Sequence, residues 1–111
     1  MRARTSETGD PPLDQVVVEE IASRLRILGD AKRIALLEAL AVTGEASVQE
    51  LADRICVSHQ NASHHLSLLR RGSVVSRRAD GPTSIYAIED WTAWWVISQL
   101  AGVVEEGVGD R

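Results

Sequence analysis

The chain has 111 residues, 44% hydrophobic and 25% charged, with a formal net charge of −4, a balance that excludes wholesale disorder and leaves room for one domain with a small core. A single cysteine, Cys56, excludes an intramolecular disulfide and a four-cysteine zinc site, and no apolar run approaches the ~20 residues that span a bilayer. With no hydrophobic signal segment behind the N-terminal arginines, a soluble, cytoplasmic protein without a membrane partner is expected.

Residues 1–12 are polar and carry the Pro11-Pro12 pair, and residues 107–111 are small and charged, so both read as flexible tails around one unit, 13–106. Leu13, Val17, Ile21, Leu25 and Leu28 recur at spacings of four, four, four and three, one stripe of an amphipathic helix that Gly29 ends. Asp30 is placed to cap a second helix, with Ile34, Leu37, Leu40 and Ala41 on its apolar face and Gly44 as its stop. In "SVQE", Ser47 and Glu50 have capping-box spacing and predict a short third helix over about 48–55.

After the tight "CVS" turn, Ser58 can cap a fourth helix to about Arg71, with Ala62, Leu66 and Leu69 inward and Gly72 closing it. The period then changes. β-Branched and alternating residues around Asp80-Gly81 predict a hairpin of about 74–78 and 84–88. A last helix over about 90–106 carries Trp91, Trp94, Ile97, Ala101 and Val104 on one side. The order describes a mainly α fold with a small β-hairpin, a winged helix-turn-helix, in which the second helix of the motif enters the major groove of DNA.

The charge distribution agrees with a DNA partner. Between Arg54 and Ala79 stand five arginines (Arg54, Arg70, Arg71, Arg77, Arg78), and all sixteen acids lie outside that segment. A segregated basic surface binds phosphates locally whatever the total charge, because salt screens anything beyond a Debye length of ~8 Å. In the fourth helix His59, Gln60, Asn61, Ser63, His64 and Ser67 supply donors and acceptors for base edges and phosphates, with Ser58 at its start and Arg70 and Arg71 at its end. Arg77 and Arg78 on the first strand of the wing complete the expected DNA-binding set.

The segments "LGDAKRIALL" and "VSHQNASHHLSLLRRGSVV" resemble the signatures of the ArsR/SmtB-type winged-helix repressors, with Leu28, Asp30, Arg33, Leu36 and Leu37 matching in the first and Ser63, His64, His65, Leu66, Leu69 and Arg70 in the second. The resemblance spans about residues 16–88. It implies a homodimer built on the first and last helices that binds operator DNA until an inducer weakens the grip. Val17, Ile21, Trp91, Trp94, Ile97 and Ala101 are then the expected interface residues, since large aromatics bury much area and are enriched at interfaces.

Most members of that family sense metals, and here the chain departs. The cysteine-rich site of the third helix falls on residues 45–51, which hold no cysteine, and the site of the last helix finds its acids in Asp90 and Glu106 but Thr92 and Val103 where imidazoles belong. Carboxylates alone are a poor zinc site. The wing carries Pro82 near a tip that is often basic in the family. No metal, no cofactor and no catalytic residue is expected, and a small-molecule inducer is left open.

Blander and rival readings stand beside these. Cys56, His59, His64 and His65 crowd together in sequence, yet their spacing matches no zinc pattern, and Cys56 reads as a small buried residue of the turn. His65 reads as an inward, structural histidine and His64 as an exposed one. Ser58 with His59, or Ser63 with His64, is no nucleophile and base pair, because sequence neighbours on a helix do not face one another. The remaining rivals are a metal-responsive repressor with a non-standard site and a protein-interaction module that has lost DNA binding. The tryptophan cluster, Trp91, Trp94 and Trp95, could also line a pocket for an apolar molecule.

Overall fold

A computed structural model of the chain describes residues 9–109, so residues 1–8 and 110–111 of the expected tails lie outside the described residues. In chain order the elements are α1 (Gln15–Leu28), α2 (Ala31–Thr43), β1 (Glu45–Ser47), α3 (Val48–Ile55), α4 (His59–Arg71), β2 (Val75–Asp80), β3 (Thr83–Ile88) and α5 (Trp91–Gly109). The helix–turn–helix followed by a β-hairpin is a winged helix-turn-helix.

The helix boundaries follow from local chemistry. Asp30 accepts from the amides of Lys32 and Arg33 at 2.9 and 3.2 Å, which starts α2, and these bonds hold its carboxyl below the usual carboxylate range. Ser47 Oγ accepts from Glu50 N at 3.1 Å while Ser47 N donates to Glu50 Oε1 at 2.9 Å, so both halves of the capping box are formed at α3. Ser58 Oγ accepts from Asn61 N at 3.0 Å and opens α4. At its far end α5 runs on to Gly109, past the expected end at Glu106.

The core is aliphatic. Leu36, Leu37 and Leu40 of α2, Leu51 of α3, Leu66 and Leu69 of α4 and Val75 of β2 are its largest fully buried side chains, each worth roughly 1.5–3 kcal/mol relative to exposure. On α2 the expected face must be corrected: Leu36, Leu37, Ala39 and Leu40 are buried, while Ile34 is 37% exposed. The cause is that α2 packs against α3, α4, β3 and α5, so its buried surface is broader than one stripe.

The sheet has order β1-β3-β2, all antiparallel. β2 and β3 pair from Val75↔Ile88 to Asp80↔Thr83, leaving Gly81 and Pro82 as the tip, longer than the expected hairpin. Gly81 adopts φ +62, where a side chain would be strained. β1 was not expected; its three residues pair with the free edge of β3, Ala46 opposite Tyr86.

Most of α1 lies outside this core. Of its apolar stripe only Leu28 is buried, and Val17, Ile21 and Leu25 are exposed. The end of α1 is nevertheless pressed against the end of α4, for a Cβ on Gly72 would come within 2.5 Å of Ile27 Cδ1.

Candidate nucleic-acid interface

Between α3 and α4 the chain turns at Cys56, which has left-handed dihedrals (φ 61, ψ 48), and Val57 N donates back to Ala52 O at 3.0 Å. This corrects the buried placement expected of Cys56: its thiol is exposed, and Ile55 and Val57 on either side pack against the core instead. The turn sets α4 so that Ala62, Leu66 and Leu69 are buried and the opposite face is open.

On that open face Ser58, Gln60, Asn61 and His64 ring a shallow depression of about 370 Å³. The first-turn amides of a helix have no intrahelical partner and carry the positive end of its dipole, so this rim is suited to an oxyanion. Gln60 and His64 are exposed, whereas Asn61 is half-buried and its Oδ1 is buried without a hydrogen-bond partner. Gln60 therefore has both amide atoms free for a base edge, and Asn61 does not. Sequence spacing alone leaves these two amides equivalent.

The next residues of α4 face the wing. His59 and Ser63 line a cleft of about 510 Å³ with Ser47, Val48 and Gln49 of the α3 start and Arg77, Pro82, Thr83, Ser84 and Tyr86 of the hairpin. Arg77 Nε donates to Ser84 Oγ at 2.8 Å, which holds Arg77 in the lining of this cleft. Arg78, one residue on, does not join it. Successive strand residues face opposite sides, and Arg78 Nη2 reaches Glu45 Oε1 at 2.8 Å, a pairing that raises its pKa. Gln49 and Thr83 are cleft residues that sequence reading missed, because they meet α4 only through the packing of α3 and the folding back of the hairpin.

His65 points inward, its side chain 12% exposed. Its Nδ1 lies 3.1 Å from Arg33 Nη1, and since a guanidinium only donates, Nδ1 accepts and the ring proton sits on Nε2. Burial pushes its pKa below the usual histidine value; Asp30, 3.9 Å away, opposes this, and Arg33, His64 and Lys32 reinforce it. Arg33 Nε also donates to Ile27 O at 2.6 Å, so this guanidinium ties α4, α2 and the end of α1 together.

At the far end of α4 Ser67 is half-buried and Arg70 and Arg71 are exposed. Arg71 lines a depression of about 310 Å³ together with Arg26, Ile27, Arg33, Leu68 and Gly72.

The expected interface residues divide. Val17, Ile21 and Trp91 are exposed, but Trp94 and Ile97 pack against the chain's own core, and Ala101 is half-buried. Trp95, Leu100, Val103 and Val104 are also exposed. Asp90 Oδ1 accepts from Thr92 N at 3.0 Å and its Oδ2 lies 3.7 Å from Arg24 Nη1, so the acid that aligns with the family's metal site caps α5 and pairs with α1. Among the described residues no three or more His, Cys, Asp or Glu side chains gather where a metal ion could be held, and no helix is long and apolar enough to cross a membrane.

A helix-turn-helix domain model matches residues 28–78. The chain is 35% identical over 85 residues to the HTH-type transcriptional regulator KmtR of Mycobacterium tuberculosis, a match covering 77% of this chain and 65% of KmtR. It is 35% identical over 93 residues to the nodulation protein NolR of Rhizobium meliloti, covering 84% of this chain and 75% of NolR. Among solved structures it resembles the homodimeric winged helix-turn-helix DNA-binding domain Mb0332 of Mycobacterium bovis, a possible ArsR-family regulator, with a TM-score of 0.73 at 23% identity over 89% of this chain and 91% of that one.

Proposed function

The chain belongs to the ArsR/SmtB-type family of winged helix-turn-helix transcriptional regulators, and from that premise we propose that it is a cytoplasmic homodimeric repressor, not an enzyme, that releases operator DNA in response to an inducer other than a metal at the family's usual sites. The observation that carries the DNA-binding part is the open face of α4, where exposed Gln60 and His64 stand at the amino-terminal turn of the helix and Arg77 lines the adjoining cleft. In this reading Gln60 and Ser63 address base edges, Ser58, His59, Asn61, His64 and Ser67 support them, and Arg70, Arg71 and Arg77 hold phosphates.

Three things support the dimer: Mb0332 is homodimeric, the apolar stripe of α1 is open, and α5 exposes Trp91, Trp95 and Leu100. Two linked recognition helices then meet half-sites about one helical turn apart. The non-metal inducer rests on Thr92 and Val103, which replace imidazole ligands, and on Asp90, which is engaged with Thr92 N and Arg24.

The test is fluorescence anisotropy with DNA from upstream of the chain's own gene against random duplex. Preference for the former, reduced by ~1–3 kcal/mol in Gln60→Ala or Ser63→Ala at one operator position, supports the reading. Equal binding to both duplexes, or release by stoichiometric zinc, cadmium or cobalt that Asp90→Ala abolishes, overturns its specificity and inducer parts respectively.

A further inference from the structure

We propose that the depression between the ends of α1 and α4 is a second phosphate site, lined by Arg26, Arg33 and Arg71, that grips the DNA backbone beyond the bases addressed by the start of α4. Three arginines from three different helices line one depression of about 310 Å³ together with Ile27, Leu68 and Gly72, and no carboxylate lines it. Such a cluster makes a local positive potential that attracts an anion.

None of the three arginines makes an ion pair with a described residue. Arg26 and Arg71 are exposed. Arg33 is fixed in place by Ile27 O at 2.6 Å and His65 Nδ1 at 3.1 Å, two uncharged acceptors that orient the guanidinium without cancelling its charge. Asp30, which accepts from the amides of Arg33 and Lys32, acts on Arg33 through its charge without forming an ion pair with it, so it offsets only part of the Arg33 charge. A planar fork held in place beside two exposed ones suits phosphate oxygens.

Position points to DNA as the source of the phosphate. Gln60, His64, Ser67 and Arg71 follow one another at spacings of four, three and four, so they share one face of α4. The depression thus continues the face that carries Gln60, ~16 Å further along the helix axis. The close approach of Gly72 to Ile27 sets the end of α1 beside it, which adds Arg26 and Arg33 from outside the helix-turn-helix. The site is shallow and open, suited to a phosphate on a duplex rather than an enclosed small molecule.

The inference rests on the DNA-binding reading above, and the experiment separates the two. Anisotropy titrations of the 111-residue chain across a KCl series compare wild type with Arg26→Gln and with Arg26→Gln/Arg71→Gln. Expected is a log–log salt slope shallower by ~0.9 per contact removed, equal on specific and random DNA. A duplex with neutral methylphosphonates flanking the half-site should bind wild type more weakly and reduce binding by the double variant much less.

Variants whose slope equals that of a wild type that binds its operator overturn this inference alone, and a wild type that binds no DNA overturns both. A third arm titrates inorganic phosphate without DNA and follows the thermal midpoint. A phosphate-dependent rise that the double variant loses, with the DNA slope unchanged, assigns the site to a free anion and overturns the DNA assignment.

Discussion

Arg77 and Arg78 are consecutive on β2, yet one lines the cleft beside α4 with its Nε on Ser84 Oγ at 2.8 Å, while the other crosses the sheet to Glu45 Oε1, also at 2.8 Å. The strand pleat makes this division, and it separates two residues of identical chemistry by what they can reach. Arg77→Ala should therefore lower affinity for all DNA sequences and reduce the salt slope by ~0.9. Arg78→Ala should leave the slope unchanged, since an exposed pair with Glu45 is a minor structural contact. Salt-dependent anisotropy on both variants decides it, and a slope change in Arg78→Ala would move the DNA path across the sheet.

The caps of α2, α3 and α4 were legible in the sequence because each is made within four residues: Asp30 with Arg33, Ser47 with Glu50, Ser58 with Asn61. β1 was not legible, for three residues have no period to read and depend on the free edge of β3, forty residues later. The same holds at the candidate site. Polar residues on the open face of α4 can be read from helical spacing. The burial of Asn61 Oδ1, the removal of Arg78 to Glu45 and the placing of Arg26 and Arg71 in one depression depend on how separate elements pack.

Packing also changes which tryptophan tests the assembly. Trp94 and Ile97 touch the chain's own core, so a glutamate at either position should destabilise the protomer itself. Trp95, 60% exposed, can become glutamate at little cost to the protomer. Trp95→Glu is expected to keep its helical circular dichroism, sediment as a monomer, and lose DNA affinity through loss of the linked second half-site. A Trp95→Glu protein that remains fully dimeric would place the interface away from this face of α5.

Cys56 holds the left-handed position of the turn between α3 and α4, where glycine is the usual occupant. A non-glycine residue there costs ~1–2 kcal/mol, and glycine gives back ~0.5–1 kcal/mol through the freedom of its unfolded chain. Cys56→Gly should consequently stabilise the protein by about 0.5 kcal/mol, read as a higher urea midpoint at unchanged m-value. Cys56→Ala keeps the Cβ and should leave the midpoint nearly unmoved. Equal midpoints for the two variants would mean that the dihedral strain is not what limits this turn.

Acid should weaken the link between α4 and α2 through His65. The folded protein favours the neutral ring, whose Nδ1 accepts from Arg33 Nη1 at 3.1 Å, and burial first of all depresses its pKa. The unfolded chain, titrating near the ordinary value of about 6.5, therefore binds more protons in the window below that value and above the folded one, so stability there rises with pH. As pH falls from about 6.5 through that window the stabilisation is lost; above it the contribution is complete. Protonation would set a cation against Arg33, with Lys32 and His64 adding to the repulsion and Asp30, at 3.9 Å, offsetting part of it. His65→Gln keeps an acceptor for Arg33 without a titrating ring, while His59 and His64 remain in both proteins. Urea unfolding across a pH series should show wild type losing stability relative to His65→Gln as the solution is acidified below about 6.5, and parallel profiles would show that the ring's protonation does not matter to the fold.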